Sequence, residues 1–315
     1  MADREHPAFP ESLRLRASVL AEVRRFFAER GVMEVETPLL RSHTVTDVHL
    51  QSFEVRAHDH SPPRLFLQTS PEYAMKRLLA AGSGPIYQIG KAFRAKERSR
   101  LHNPEFTILE WYRPGFSLAD LMDEVEQLIT HLLCRQKIIR YTYGELFRKY
   151  LNLDPHSIGL QELQQRCAEL IDVSGADLDT TDYLQLLMDQ KIEPMLPDRC
   201  FVYQYPSAQA ALSVVAPDVD GVPVAQRFEL YLEGMELANG YFELTDAAEQ
   251  RARFECDLAR RQQLGLPEIP IDEDMLAALE AGLPSCAGAA LGFDRLLMVL
   301  GESRDIGDVI SYPLD

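Results

Sequence analysis

Residues 93–112, FRAKERSRLHNPEFTILEWY, decide the fold more than any other stretch of the chain. Phe93-Arg94 has the pattern of a strand end, and the very polar run KERSRLHNPEFT separates it from the apolar residues LEWY. Two strands that are joined by an exposed basic loop have this composition. The apolar patterns around the loop therefore predict strands at Ile86–Ile89, Ala92–Arg94 and Phe106–Tyr112.

Helical and edge-strand patterns precede this stretch. Apolar residues recur on one helical face over Leu13–Arg30, which predicts an amphipathic helix. The next segment, Val32–Leu40, contains Pro38, so we predict an edge strand or a terminating strand there. Further on, Ser70 is predicted to be the N-cap of a helix that has Pro71 at its first position.

The pattern changes after residue 114. Helices with frequent breakers are predicted at Leu118–Leu133, Tyr143–Leu151, Leu160–Leu170 and Thr181–Ile192. Strand patterns return at Phe201–Tyr205, Ala225–Leu232 and Met235–Leu237, and helical patterns follow at Asp246–Leu264 and Met275–Glu280. Strands on both sides of a helical block predict an α+β fold, an antiparallel sheet flanked by helices. We expect one domain over residues 1–315, with a mainly helical insertion at about residues 114–198.

The overall charge argues against a nucleic-acid partner. The chain has 32 Lys and Arg residues against 49 Asp and Glu residues, a net charge of −17, whereas surfaces that bind phosphates gather Lys and Arg. Its 46% apolar and 26% charged residues are ordinary for a globular protein, which excludes a disordered chain. No apolar core of a secretory signal and no run long enough to span a bilayer occurs, so we expect a cytoplasmic protein without membrane contact.

Cysteine and histidine residues do not form a metal or disulfide pattern. The five cysteines are scattered and contain no C-x-x-C pair, so we expect reduced thiols: Cys134, Cys167, Cys200, Cys256 and Cys286. His58 and His60 lie beside two prolines with no further ligand nearby. A solvated loop is favoured over a zinc site there, because zinc needs more ligands than this segment offers.

Arginines, rather than a glycine-rich loop, are the candidates for binding a nucleotide. Neither a G-x-x-x-x-G-K loop nor a Rossmann fingerprint is present. The segment Gly288–Arg295 places small residues before an arginine that opens an apolar helix. Small residues let a flat ring approach the backbone, and a guanidinium matches phosphate oxygens. Either pattern alone, Phe93-Arg94 or Gly288–Arg295, is more often tight packing than a binding site.

Together, three segments resemble the signature motifs of the lysyl-type class II synthetases. Gly31–Leu40 resembles motif 1, Phe93–Glu110 resembles motif 2, and Gly288–Arg295 resembles motif 3. The stretches TSPEYAMKRLL, RLHNPEFTILEWYRP, ELANGYFELTDA and CAGAALGFDRL extend the likeness over nearly the whole chain. The chain also resembles the bacterial elongation factor P–lysine ligases, which are truncated paralogues of lysyl-tRNA synthetase. The resemblance implies that the anticodon-binding domain of a true lysyl-tRNA synthetase is absent.

The resemblance also implies roles for individual residues around ATP and Mg²⁺. Arg94 would hold the α-phosphate and the reacting carboxylate, and Arg295 would hold the γ-phosphate, so these two residues are the catalytic candidates. Glu229 and Glu236 would hold Mg²⁺ on the phosphates, which suits hard carboxylate oxygens. The residues implied to border ATP are Arg94, Lys96, Glu97, Asn103, Phe106, Glu236, Leu237, Gly292 and Arg295.

A second set of residues is implied to bind a lysine-type amino acid. Glu243 and Tyr112 would receive its side-chain ammonium, and the remaining groups would surround its other amine and its carboxylate. The full set is Ser70, Glu72, Glu110, Tyr112, Asn239, Glu243 and Ala290. Two ammonium groups need two separated carboxylates, which agrees with this set. If the motifs are disregarded, the favoured interpretation is structural. Glu72 then stabilises a helix N-terminus, and Glu229, Glu233, Glu236 and Glu243 form one solvated acidic face.

One position departs from the family pattern. The family reads Phe-Arg-x-Glu, with the Glu on the adenine amino group, whereas this chain reads Phe93-Arg94-Ala95-Lys96 and its Glu97 comes one place late. Successive strand residues point to opposite faces, so this offset puts the adenine contact in doubt. Lys96 is then a solvated loop charge, and Glu97 or a backbone group replaces the contact.

The implied reaction is the ATP-dependent formation of an acyl-adenylate and its transfer to an amine. The resemblance implies (R)-β-lysine as the substrate, a lysine ε-amine of elongation factor P as the acceptor, a homodimer, and no productive tRNA binding. A regulatory subunit that binds an amino acid without activating it, and a ligase that makes an amide of a small molecule, are the alternatives. Substrate-dependent pyrophosphate exchange separates a catalyst from a binding protein.

Overall fold

The two strands on either side of the basic loop pair as an antiparallel hairpin. Ile86–Phe93 and Glu105–Pro114 are in register from Ile86 opposite Tyr112 to Phe93 opposite Glu105. The first of these is one continuous strand, so the prediction of two short strands was wrong. The polar Gly90-Lys91 pair interrupts the apolar pattern of that strand but not its hydrogen bonds.

The computed structural model describes residues 9–56, 64–133, 137–172 and 178–314. His58, His60 and Cys134, which were considered as ligands or thiols, lie outside these described residues. The helices are α1 Phe9–Glu29, α2 Glu72–Ala80, α3 Leu118–Leu133, α4 Tyr143–Leu151, α5 Leu160–Leu170, α6 Thr180–Leu187, α7 Ala247–Gln263, α8 Glu273–Gly282 and α9 Phe293–Leu300. The strands are β1 Met33–Glu34, β2 Leu40–Arg41, β3 Glu54–Val55, β4 Leu65–Leu67, β5 Ile86–Phe93, β6 Glu105–Pro114, β7 Ile139–Thr142, β8 Arg199–Pro206, β9 Val215–Pro217, β10 Pro223–Leu232, β11 Met235–Phe242 and β12 Cys286–Gly292.

The main sheet has the strand order β1-β5-β6-β12-β11-β10-β8-β7, and β9 pairs with β10. Each neighbouring pair among the central strands β5, β6, β12, β11, β10 and β8 is antiparallel. This arrangement confirms the predicted α+β fold with an antiparallel sheet. The two edge strands differ, since β1 runs parallel to β5 and β7 runs parallel to β8. Pro38 follows β1, so the predicted edge position of that segment is confirmed.

One face of this sheet packs on the largest apolar core. Strand side chains alternate between the two faces. Leu109 and Trp111 of β6 and Ala289 and Leu291 of β12 all face this core, where they meet buried residues of α1, α3 and α9. Phe27 of α1, for example, stacks on the ring of Tyr87 at 4.5 Å between centroids. The side chains of Glu110, Tyr112 and the residues in register with them therefore project from the opposite face.

Two smaller cores cover the ends of the sheet. Helices α4, α5 and α6 pack on β8 and β10 and form a second core. Helices α2, α7 and α8 form a third core with Ile86, Tyr112 and Cys286. Helix α3 belongs to the first core although it lies within residues 114–198. The extent of the helical insertion, and the single domain over residues 1–315, stay predictions.

Most predicted elements are confirmed, with local corrections at their ends. Helix α2 begins at Glu72 with Pro71 at the N-cap, so the prediction of Ser70 as N-cap was wrong by one residue. The Ser70 hydroxyl still accepts the Glu72 N–H at 3.1 Å. Strand β7 was not predicted. The segment predicted as a helix to Ile192 leaves α-helical geometry at Met188 and continues as one π-helical turn.

The described cysteines are free thiols, as expected. Cys167, Cys200 and Cys286 are buried and Cys256 is exposed. Among the described residues, no helix is both long and apolar enough to span a membrane.

Candidate active site

A row of site residues crosses four strands on the face of the sheet opposite the first core. Glu110 of β6 lies opposite Ala290 of β12, Ala290 lies opposite Asn239 of β11, and Asn239 lies opposite Glu229 of β10. Paired residues of neighbouring strands project to the same face. The sheet register therefore brings together four predicted residues that the sequence separates widely.

A second row lies two residues further along the same strands. It contains Tyr112, Gly288, Tyr241 and Arg227 in register. A Cβ atom added to Gly288 would overlap the Tyr112 ring and would lie 2.8 Å from Oε1 of Glu243. Only glycine leaves room for these two side chains, which explains a small residue at this position of the closing strand.

Three buried or half-buried carboxylates, Glu72, Glu110 and Glu243, form what we call the carboxylate cluster. Glu110 and Glu243 are 2% and 1% exposed, so their charges must be balanced within the protein. Lys76 supplies one positive charge, because its ammonium lies 2.7 Å from Oε1 of Glu72 and 2.6 Å from Oε2 of Glu243. The cluster contains more carboxylates than ammonium groups, which suits a ligand with further ammonium groups.

Burial changes the titration of this cluster. It raises the pKa of Glu243 to about 8, against the opposing effect of Lys76. Burial, together with the nearby charge of Glu72, raises the pKa of Glu110 to about 7. The pKa of Lys76 lies well above its usual range, since the attraction of Glu243 and Glu72 exceeds the effect of burial. Near neutral pH, Glu110 and Glu243 are therefore poised to gain or lose protons when a cation enters.

Glu110 accepts hydrogen bonds from two predicted site residues. The Ser70 hydroxyl donates to Oε2 and the Tyr112 hydroxyl donates to Oε1, both at 2.7 Å. These two hydrogen bonds fix the orientation of the Glu110 carboxylate. Sequence reasoning predicted all three residues, and the structure places them in direct contact.

Arg94 and Arg295, the arginine pair, follow the ends of β5 and β12, the two strands that flank β6. The Arg94 guanidinium lies 5.1 Å from the centroid of the Phe106 ring and 3.3 Å from Oε1 of Glu97. Its Nε atom is buried without a hydrogen-bond partner among the described residues. An unused donor of this kind is suited to a ligand oxygen. Lys96 is exposed in the turn that follows Arg94, whereas Glu97 is half-buried.

Arg295 contacts the loop between β5 and β6. Its guanidinium donates to the carbonyl oxygens of Glu236 at 2.6 Å and Leu101 at 3.3 Å, and Nη2 lies 2.6 Å from Nε2 of His102. Burial and the charge of Arg295 lower the pKa of His102, so a neutral imidazole accepts this bond. The neighbouring Asp294 accepts the backbone N–H of Thr107 at 2.6 Å, which attaches the start of α9 to β6.

Glu229 and Glu236, predicted to hold Mg²⁺, lie on the neighbouring strands β10 and β11. Glu229 accepts hydrogen bonds from the hydroxyls of Tyr205 at 2.6 Å and Tyr231 at 2.7 Å and forms an ion pair with Arg227. Burial and the charge of Glu229 raise the pKa of Glu236 to about 7. Two carboxylates that repel each other in this way are suited to a shared cation.

The remaining predicted residues have the following positions. Asn103 is buried and donates from Nδ2 to the Glu105 carbonyl. Gly292 is on the same face as Ala290, two residues further along β12. The Leu237 side chain is buried in the first core, so it does not face this site. Among the described residues, no group of three or more His, Cys, Asp and Glu side chains could hold a metal by itself.

Two charged residues of the site were missed by sequence reasoning. Lys76 is one helical turn after Glu72 in TSPEYAMKRLL, and that spacing was an available signal for an ion pair. Arg227 precedes Glu229 by two residues on β10, a spacing that places both on one face. It lies 4.3 Å from the centroid of the Tyr205 ring.

Comparison with known proteins identifies the family. The model of the class II tRNA synthetases (D, K and N) matches residues 1–315, so the chain belongs to this family of proteins. Among its relatives is the elongation factor P–(R)-beta-lysine ligase of Klebsiella pneumoniae (strain 342), 48% identical over 95% of this chain and 94% of the relative. The protein of the same name from Proteus mirabilis (strain HI4320) is 47% identical over 100% of this chain and 98% of its own. The resemblance to lysyl-type class II synthetases and to the elongation factor P–lysine ligases is confirmed.

Proposed function

We propose that the protein activates a lysine-type amino acid, preferentially (R)-β-lysine, with ATP and transfers it to a lysine ε-amine of elongation factor P. The names of the similar ligases support the acceptor and the substrate. One observation about this chain carries the proposal: Glu110 of the carboxylate cluster lies on β6, and the arginine pair follows the ends of β5 and β12, the two strands that flank β6. A diamino acid would bind at the cluster with its carboxylate directed to the phosphates held by the arginines.

The substrate's ammonium groups would bind at the carboxylate cluster. Glu243 and Tyr112 would receive the side-chain ammonium, while Ser70, Glu72 and Glu110 would surround the other amine. Asn239 and Ala290, in register with Glu110, would line the path to the arginine pair. Buried carboxylates discriminate strongly against amino acids that leave them unpaired.

ATP would bind toward the arginine pair. Arg94 has a buried Nε donor for a phosphate or carboxylate oxygen, and its guanidinium lies 5.1 Å from the centroid of the Phe106 ring. Glu97 and Asn103, near the same loop, would border the nucleotide, with Lys96 at its exposed edge. Arg295 would bind the γ-phosphate once it exchanges its present partners in the loop between β5 and β6 for phosphate oxygens.

Glu229 and Glu236 would hold Mg²⁺, since two repelling carboxylates at the edge of a phosphate site are hard oxygen donors. When bound, the ion would neutralise the charge of the pyrophosphate leaving group. The hydrogen bonds from Tyr205 and Tyr231 keep Glu229 on this face. Phosphate oxygens and water would complete the ligand set.

The reaction has two steps, the displacement of pyrophosphate from ATP and then the displacement of AMP from the acyl-adenylate. The carboxylate of the amino acid attacks the α-phosphorus of ATP, and the bond to pyrophosphate breaks. The ε-amine of the acceptor lysine then attacks the acyl carbon, AMP leaves, and the amine loses a proton as the amide forms. Positioning and charge neutralisation by Arg94 and Arg295 are sufficient for the first step, so no covalent enzyme nucleophile is required.

Exchange of labelled pyrophosphate into ATP tests the activation step. We expect exchange that depends on (R)-β-lysine or lysine and is absent with norleucine, which lacks the second amine. Exchange without any amino-acid dependence, or none with either diamino acid, would refute the proposed activity. The latter result would favour a regulatory subunit that binds an amino acid without activating it.

We also propose a cytoplasmic, two-fold symmetric dimer that does not charge tRNA efficiently. Among the described residues, the edge strand β1 pairs with β5 alone, and the nearby apolar side chains of Met33 and Leu40 are exposed by 50% and 44%. Exposed apolar groups on an open edge support pairing with a second copy. The net charge of −17 opposes tRNA binding. Light scattering that gives only a monomer at micromolar concentration would contradict the dimer.

A further inference from the structure

Lys76 carries a buried ammonium group beside the carboxylate cluster. This group has no part in the proposed binding of the amino acid or of ATP. The residue is 0% exposed and lies on α2, one helical turn after Glu72. A buried ion pair is weak evidence for stability, because apolar side chains of similar size often serve as well. A buried ammonium between two residues of a binding site therefore calls for an explanation in terms of that site.

The oxygens of the two carboxylates divide between Lys76 and the sheet. Lys76 contacts Oε1 of Glu72 and Oε2 of Glu243. The other oxygen of Glu243, Oε1, lies beside Gly288 on the site face of β12. Lys76 thus contacts each carboxylate from the side of α2 and leaves one oxygen of each outside its ion pair.

Charge alone would give Lys76 the opposite effect on a cationic ligand. In a pocket for two ammonium groups, a resident ammonium repels the ligand, so its removal would tighten binding if the carboxylates kept their charge and position. A role in holding those carboxylates predicts weaker binding instead. The two explanations therefore differ in the sign of one measurable effect.

We infer that Lys76 is a positioning residue, which holds one oxygen of Glu72 and one of Glu243 so that their other oxygens face the two amines of the substrate. This inference rests on the proposed function for the class of ligand but not for the reaction. Without Lys76, the carboxylates lose their orientation and share protons among themselves. The pKa of Glu243 would then rise above about 8, because Lys76 now lowers it.

Calorimetric titration with L-lysine and with (R)-β-lysine, in the absence of ATP, tests this role. Lys76→Met keeps the length and removes the charge, and Arg77→Met removes the next side chain of the same helix, which is exposed and pairs with Asp274. We expect Lys76→Met to weaken binding of the diamino acid by about ten- to one-hundred-fold. Arg77→Met should bind like the wild type. Equal or tighter binding to a folded Lys76→Met would overturn the inference.

A second variant covers the case in which Lys76→Met does not fold. Lys76→Gln keeps one amide donor of similar reach without the charge, and it should weaken diamino-acid binding while leaving ATP binding within about two-fold of the wild type. A loss of both affinities together would mean a general structural role and would overturn the inference. Unchanged affinity for the diamino acid would overturn it too.

The same titrations separate this inference from the proposed function. A wild-type protein that binds a diamino acid but supports no pyrophosphate exchange would refute the proposed activity, while the Lys76 variants would still decide the positioning role. A wild-type protein that binds neither diamino acid would overturn the inference as well.

Discussion

Gly240 and Gly288 lie on the neighbouring strands β11 and β12, but their missing side chains are on opposite faces of the sheet. A Cβ atom at Gly240 would overlap the Phe228 ring in the first core. A Cβ atom at Gly288 would overlap the Tyr112 ring and approach Glu243 in the site. Both positions need glycine for the same steric reason, yet one serves packing and the other serves a binding surface.

The same contrast holds for the two faces as a whole. The core face of β6 and β12 carries apolar residues such as Leu109 and Leu291, and each contributes by burial alone. The site face carries Glu110, which needs hydrogen bonds to compensate its burial. Substitutions on the core face should therefore change stability, whereas those on the site face should change ligand binding and rate.

The largest expected effect is at Arg295, in the proposed phosphate site. Arg295→Ala removes the donors proposed for the γ-phosphate and should lower the rate of amino-acid-dependent pyrophosphate exchange by about one-thousand-fold. The melting temperature should change little, because the side chain is half-buried and lies outside the apolar core. Arg304→Ala, at an exposed arginine soon after α9, is the matched control. Near-normal exchange by a folded Arg295→Ala would refute the phosphate role.

The pH dependence of diamino-acid binding sharpens the contrast without a substitution. Glu110 and Glu243, with pKa values of about 7 and about 8, bind an ammonium only when ionised. Both pKa values are raised, so affinity should fall about ten-fold per unit as pH drops from 8 to 7, and about one-hundred-fold per unit below pH 7, where both carboxylates are protonated. Lys76 stays charged over this range because its pKa is higher still.

Calorimetry with L-lysine between pH 6 and pH 9 measures this dependence. Glu243→Gln should remove the upper step, near pH 8, and keep the lower one. An affinity for lysine that does not change between pH 6 and pH 9 would contradict the assignment of the carboxylate cluster.

The two glycines give the most direct comparison of the faces. Gly240→Ala should destabilise the fold by about 1–3 kcal/mol, the usual cost of overpacking a core, with the KM for the amino acid unchanged in the folded fraction. Gly288→Ala displaces Tyr112 and Glu243, so it should raise the KM for the amino acid more than the KM for ATP. Thermal melts and exchange kinetics on both variants check this. The comparison fails if the two variants have the same profile.

The smallest expected effect concerns Ala290, between Glu110 and Asn239 in the site row. Removing its methyl group widens the pocket wall, so Ala290→Gly should shift the ratio of kcat/KM values from β-lysine toward α-lysine by about ten-fold. Exchange rates with the two isomers in parallel measure the shift. An unchanged ratio would mean that Ala290 contributes packing and not specificity.

The residues that the sequence predicted for the site come together in the structure where strand alternation governs their position. Glu110 is two residues from Tyr112 and Ala290 is two residues from Gly292, and the antiparallel register aligns Asn239 with them. Alternation fails at Leu237, which is two residues from Asn239 but faces the core, because the register of β10 and β11 shifts there. Neither the register nor the order of strands can be read from alternation, since a strand pairs with partners far away in the chain. The family resemblance supplied that information.

Residues that act through tertiary contacts were harder to predict. Lys76 has the spacing of a surface ion pair on α2, and its burial depends on Glu243, which is distant in sequence. Strand β7 is only four residues long and exposes Ile139, so it has little apolar periodicity of its own. Its pairing with β8 determines its conformation. In both cases the cause lies outside the local sequence.

The most direct test of the account is the transfer reaction itself. The protein is incubated with ATP, Mg²⁺ and (R)-β-lysine, together with unmodified elongation factor P and lysine tRNA. Intact-mass spectrometry then gives the mass of elongation factor P, and the fraction of the tRNA that carries an amino acid is measured separately. The account predicts that elongation factor P gains the mass of one lysyl group on a lysine side chain while the tRNA stays uncharged. Charged tRNA together with unmodified elongation factor P would contradict it.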